Sequence, residues 1–379
     1  MSDPAPFLLH QHLVDRIHRH GPLRFSTVMD AALYDPDHGF FTATGGSAGR
    51  RGDFLTSPEI GPLFGAVLAR ALDTWWDELG HPDPFVVVDA GAGSGTLALA
   101  VLGASPRCAA ALHYVLVERS PVLRERHGDH LPLAPPATSL GVPGAGDGPV
   151  VVSLAEMPAT EVVGVVLANE LLDNLAVDLL IRTDDGWGEI RIGVDDESGG
   201  GQLVHHVVPA AEPAAAAARR FAPDATVGAT IPWQRQAGDW VRDALALLSA
   251  GRLVAIDYAV DTTSELARRP MHEWLRTYRG HDRAGDPLDT VGTADITVEV
   301  CIDQLAWAAG EPTSVRRQGE FLHAHGIDEL VAEGRRIWEE RAPVGDLAAV
   351  RGRSRITEAD ALLDPGGLGA FRVAEWVRG

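Results

Sequence analysis

Residues 86–98 read Val-Val-Val-Asp-Ala-Gly-Ala-Gly-Ser-Gly-Thr-Leu-Ala: an apolar, β-branched run, then three alternating glycines, then a helix-forming segment. The pattern is that of a buried parallel strand running through a tight turn into a helix. Gly91, Gly93 and Gly95 let the backbone bend sharply and let a ligand come to contact distance, while the helix start offers free N–H groups to an anionic part of that ligand. The chain is therefore expected to bind something nucleotide-like at the carboxyl end of a sheet.

Two neighbours separate the options. Thr96 stands where a dinucleotide fingerprint would have its third glycine, and Asp89 precedes the first glycine by two residues. A carboxylate there is awkward beside a pyrophosphate but suits the cationic amino group of a methionine moiety. The run Tyr114-Val-Leu-Val-Glu118 then closes on an acid 27 residues after Gly91, where a second strand ends and a carboxylate can accept from ribose hydroxyls. Together these favour S-adenosylmethionine (SAM) over NAD. The alternative is a structural turn followed by an ordinary surface glutamate.

Further apolar runs at Tyr114–Glu118, Val150–Leu154, Val162–Ala168 and Leu253–Tyr258 alternate with helical stretches, as in an α/β, doubly wound, mostly parallel Rossmann-like sheet. Residues 1–80 read as an N-terminal helical cap carrying a loop. Within them 58–79 is a helix, with Ser57 as a plausible N-cap and Pro58 in the first turn. Residues 81–175 and 251–379 read as the core, and 176–250 as an inserted α+β segment placed to shape an acceptor region. Segments 135–149 and 198–201 are the richest in Gly and Pro.

Formal charge is −21 and every one of the 32 basic residues is arginine, so no basic face favours non-specific nucleic-acid binding. Cys108 and Cys301 have neither metal-ligand spacing nor a disulfide framework, and no metal is expected. With no basic leader and no membrane-length apolar run, a cytoplasmic, membrane-free protein is expected. Oligomeric state is left open, a dimer being one option.

Several motifs occur in one order: Met29-Asp-Ala-Ala-Leu-Tyr-Asp-Pro36-Asp-His-Gly39-Phe-Phe, Gly52-Asp53-Phe-Leu-Thr56-Ser57-Pro58-Glu59-Ile60, the glycine loop, and Asn169-Glu170-Leu-Leu-Asp173-Asn174. Asp257-Tyr258, Leu275-Arg-Thr-Tyr-Arg-Gly280-His281 and Gly292-Thr-Ala-Asp295-Ile-Thr297 follow. The set resembles the MidA family of SAM-dependent methyltransferases, which includes the mitochondrial complex I assembly factor with protein arginine methyltransferase activity. There are departures: Phe40-Phe41 where one aromatic is usually Tyr, Ala176 for Pro, Ala259 for Gly and Glu299 for Asp. The resemblance implies SAM as cofactor, a protein partner bearing an arginine acceptor, a lid formed by Thr56, Ser57 and Pro58, and Asp53 fixing that loop.

Asn169-Glu170 follows the fourth strand of the core. Asn169 is placed to bond the amino-acid part of SAM, and Glu170 to pair with a cationic acceptor. In this it resembles the strand-end glutamate loop of arginine methyltransferases; the plainer reading is that Glu170 caps the next helix. Asp173, on what reads as the same helical turn, is a second carboxylate or a solvated helix residue. His281 is a candidate base or a structural loop histidine, with Tyr278 and Asp295 nearby in the acceptor region. Three function classes follow: a protein arginine methyltransferase, a small-molecule methyltransferase, and a non-catalytic assembly factor that retains the fold.

Overall fold

The computed structural model describes residues 5–43, 56–135, 148–196, 201–279, 282–289 and 291–379. They form two compact units, each assembled from separate stretches of chain: Met1–Phe54, Leu172–Asp243 and Ala259–Glu311 in one, Leu55–Leu171, Ala244–Tyr258 and Pro312–Gly379 in the other.

The second unit is built on seven strands: β1 (Phe85–Ala90), β2 (Leu112–Val117), β3 (Val150–Leu154), β4 (Val162–Asn169), β5 (Leu248–Asp257), β6 (Ser314–Arg317) and β7 (Arg372–Arg378). Their order is β6-β7-β5-β4-β1-β2-β3. β1 to β5 pair in parallel, and β7 runs antiparallel to both β5 and β6. The winding reverses between β1 and β4, and such a switch point is where open α/β sheets bind ligands. Every side chain of β1 and β2 is buried, as expected of central strands covered on both faces.

Helix α1 (Pro62–Glu78) buries Leu63, Phe64, Val67, Leu68, Leu72 and Trp75 in the same core as Val87, Leu116, Val254 and Phe321. The sequence reading placed these residues in an N-terminal cap, but their apolar face belongs to the sheet unit. That reading also makes one helix of 58–79, whereas the chain forms a short helix Ser57–Ile60, breaks at Gly61-Pro62 and resumes as α1. Glu358 accepts from the Leu63 amide at 2.8 Å, which satisfies the start of α1. Ser57 lies inside the short helix. Thr56 is its N-cap, with its amide donating to Glu59 Oε2 at 3.3 Å in a capping box.

The other unit gathers parts that look separate in sequence. Leu9, Leu13 and Ile17 of helix Ala5–His20 and Val28 and Met29 of helix Phe25–Tyr34 pack with Leu179, Ile190 and Ile192 from the inserted segment, and with Trp274, Ile296 and Val298. Residues 259–311, assigned to the core from sequence, thus contribute their apolar side chains here instead. The inserted segment forms the strands Asp178–Thr183, Gly186–Asp195, Gln202–Pro209 and Thr230–Trp233, antiparallel where paired, with helix Glu212–Phe221 packed on Leu180, Trp187 and Ile231. Three further short strands, Leu275–Arg279, Asp282–Arg283 and Asp295–Val298, pair antiparallel.

Candidate cofactor and acceptor site

The site described lies within the sheet unit, at the carboxyl ends of β1 and β4. Ala90 is in register with Ala168, so the glycine loop and Asn169 leave the sheet side by side. Gly91 N and Ala92 N both donate to Val117 O, at 2.9 and 3.0 Å, folding the loop over the end of β2. Gly93 and Gly95 have φ of +57° and +84°, the left-handed region that favours glycine. Gly95 then caps helix α2 (Thr96–Gly103).

Glu118 follows β2 and is 6% exposed. Its Oε2 accepts from Gly93 N at 2.9 Å and its Oε1 from Ser120 N at 2.7 Å. A carboxylate offers about four lone-pair sites, so Glu118 can also accept from a ribose. Burial pushes its pKa up, and the two amides pull the other way. Asp89, in β1, is buried and accepts from the Tyr114 hydroxyl at 3.0 Å. Loss of solvent pushes its pKa up to about 7, with the Tyr114 bond opposing and the Glu118 charge adding to the rise.

Asn169 ends β4, and Glu170 follows with φ of +52°, an uncommon conformation for a residue with a side chain. Its amide donates to Ile256 O at 2.8 Å, and its Oε1 accepts from Ser57 N at 3.0 Å and Asn169 Nδ2 at 3.1 Å. Ser57 Oγ in turn donates to Gln318 Oε1 at 3.2 Å, with Ser57 and Gln318 fully buried. The Thr-Ser-Pro-Glu motif is therefore fastened to the end of β4 through Glu170. The helix whose start Glu170 meets is the earlier one at Ser57–Ile60, not the one following it in sequence. Asp173 is not on a helical turn with Glu170: it sits half-buried in a 3-10 turn, Leu172–Asn174, and belongs to the other unit. Asp53 and His281 lie outside the described residues.

The residues present fit SAM. Among the described residues a Cβ on Gly93 would meet nothing within 4 Å, which leaves the loop open for close approach. Asn169 Oδ1 is buried without a hydrogen-bond partner among the described residues, an acceptor for an ammonium. When bound, SAM supplies an activated methyl on a sulfonium. The groups that would hold it are the glycine loop, the Glu118 carboxylate and the polar end of β4.

Sequence reasoning missed His127. It is fully buried beneath the loop, and no local signature marks it.

Residues 67–321 match a family described as "Putative S-adenosyl-L-methionine-dependent methyltransferase". The chain belongs to this family. Among its relatives, the mouse "Protein arginine methyltransferase NDUFAF7, mitochondrial" is 30% identical over 348 residues, covering 84% of this chain and 74% of the relative. The human protein of that name is 28% identical over 356 residues, covering 84% and 73%. A crystal structure from Burkholderia thailandensis, bound to S-adenosyl-homocysteine (SAH), superposes with a TM-score of 0.81 at 28% identity, over 99% of this chain and 92% of that one. This enzyme is a SAM-dependent methyltransferase of Rossmann-like fold, with SAM as its cofactor. The relatives are named mitochondrial; among the described residues no helix is long and apolar enough to cross a membrane.

Proposed function

We propose that this methyltransferase acts on arginine in a protein partner. The observation that carries the reading is the run of relatives named protein arginine methyltransferases, aligned over 84% of the chain. The site adds a strand-end carboxylate, Glu170, oriented by Ser57 N and Asn169 Nδ2. In the proposed reaction a guanidinium nitrogen attacks the methyl carbon, the carbon–sulfur bond breaks with its electron pair going to sulfur, and the nitrogen gives up a proton. A carboxylate at the acceptor localises the guanidinium charge and aims one nitrogen, since Arg and carboxylate match as a planar fork. Asn169 is proposed to hold the amino-acid part of SAM, and Thr56, Ser57 and Pro58 to cover the cofactor. Asp53 as a loop anchor, Asp173 as a second carboxylate, His281 as base and residues 176–250 as acceptor-binding complete the proposal.

The test is transfer from labelled SAM into a cell lysate, with mass spectrometry of the labelled product. Glu170→Gln keeps an oxygen for Ser57 N and Asn169 Nδ2, so SAH affinity is expected within about threefold of wild type. Methyl-arginine formation is expected to fall about 100-fold or more, the scale of losing one preorganised electrostatic contact. Label confined to small metabolites, or unimpaired transfer by Glu170→Gln, removes the arginine claim and leaves the methyltransferase standing.

A further inference from the structure

His127 opens the short helix His127–His130, and its ring lies against the glycine loop. Nε2 is 2.9 Å from Gly93 O and Nδ1 is 2.8 Å from Ser153 Oγ, in β3. A carbonyl only accepts, so Nε2 carries the proton; the neutral ring then accepts from the Ser153 hydroxyl at Nδ1. Burial holds the His127 pKa below its ordinary value, with the Arg124 charge acting the same way and the Gly93 bond opposing. A Cβ on Gly95 would come 3.3 Å from His127 Cδ2, so the imidazole supports the turn across two of its glycines. Gly93 is thus gripped twice, its N–H by Glu118 and its C=O by His127. The space its Cβ would occupy stays clear.

We propose that His127 is a positioning residue for SAM: by holding the Gly93 carbonyl it fixes the Gly93–Gly95 turn in the left-handed form that presents an open backbone surface to the cofactor. Glycine-rich backbone left unheld samples many conformers, and a ligand that must order it binds more weakly. Glu118 fixes only the peptide ahead of Gly93. The peptide after it, between Gly93 and Ser94, is fixed by His127.

Side-chain geometry supplies the test. The amide nitrogen of glutamine reaches about as far as ring Nε2, and that of asparagine only as far as ring Nδ1. Calorimetry with SAH should find His127→Gln within about threefold of wild type and His127→Asn roughly 10- to 100-fold weaker, the cost to the ligand of ordering a turn that is no longer held. Ser153→Ala, which leaves the Gly93 bond in place, should change affinity less than threefold. Ligand-free, His127→Asn is expected to melt below His127→Gln through the loss of one hydrogen bond, and calorimetry is run at a temperature where both are folded, so that weaker binding is read on folded protein. The proposal is overturned if His127→Asn binds as tightly as His127→Gln, or if Ser153→Ala weakens binding as much as His127→Asn does. In the wild-type protein, ring nitrogen NMR gives an independent reading: the proton is expected on Nε2, and a proton on Nδ1 alone would refute the Gly93 bond.

Discussion

Replacing Glu118 separates the proposed ribose contact from a loop support, because its carboxylate already accepts from the backbone amides of Gly93 and Ser120 before any ligand arrives. In Glu118→Ala the amides of Gly93 and Ser120 lose acceptors at 2.9 and 2.7 Å on a side chain whose residue is 6% exposed. The buried Ser120 donor costs about 1–3 kcal/mol when stranded and the half-buried Gly93 donor less, so folding should weaken by about 1–4 kcal/mol. If Glu118 bonds the ribose as proposed, binding loses those charge-assisted bonds and the fixed Gly93 peptide, about 1–3 kcal/mol, or roughly 5- to 150-fold in Kd.

Glu118→Gln is the sharper variant. An amide has a single oxygen, so one of the two N–H groups would face the NH2 of glutamine, donor against donor. Glutamine should therefore bind SAM and SAH nearly as poorly as alanine, within about threefold, although it conserves shape. Calorimetry with both ligands, beside denaturant melts of the free proteins, measures both quantities. Wild-type affinity in Glu118→Gln would refute the claim that both oxygens are needed as acceptors.

Gly93→Val should fold, because among the described residues nothing lies within 4 Å of the new Cβ, although the φ of +57° costs a branched residue about 1–2 kcal/mol. SAH at 100 times its Kd should stabilise wild type by about 2.7 kcal/mol and leave Gly93→Val unmoved; an equal thermal shift in both would mean the loop does not contact the ligand. Asp89 is a buried acid whose pKa rises from 3.8 to about 7, so its contribution to stability is complete below pH 3.8 and disappears as pH rises through 7. Asp89→Asn should accordingly remove part of the loss of melting temperature between pH 6 and 8, and an unchanged pH profile would show that Asp89 does not titrate there.

Much of the sheet unit was legible because buried parallel strands announce themselves as apolar runs: Val86 to Ala90, Val150 to Leu154 and Val162 to Ala168 lie within strands, and the glycine spacing located the turn. What was not legible was which surface each helix covers. Helix α1 and the helix Ala5–His20 both show an apolar face, yet α1 packs on the sheet while the other packs with strands some 170 residues further along. Helical periodicity defines a face and carries no information about its partner.

The site divides along the same physical line. Gly91, Gly93, Gly95 and Glu118 were readable because backbone conformation and strand ends impose residue types at fixed spacing. The supports were not, because a hydrogen bond between side chains from distant segments leaves no periodic trace. His127 and Ser153 are 26 residues apart, and Ser57 and Gln318 are 261 apart. Glu170 belongs to both classes: its place after β4 was evident, but its bond to Ser57, 113 residues earlier, was not. That bond gives the Thr-Ser-Pro-Glu segment a reason to be specific in sequence without chemistry of its own. Thr56 and Glu59 close the short helix on itself, Ser57 turns its amide and hydroxyl toward β4 and Gln318, and the motif delivers a fixed backbone donor to Glu170. A carboxylate held this way has its orientation set before substrate arrives, and under the proposed function that preorganisation is what aims an acceptor nitrogen at the methyl.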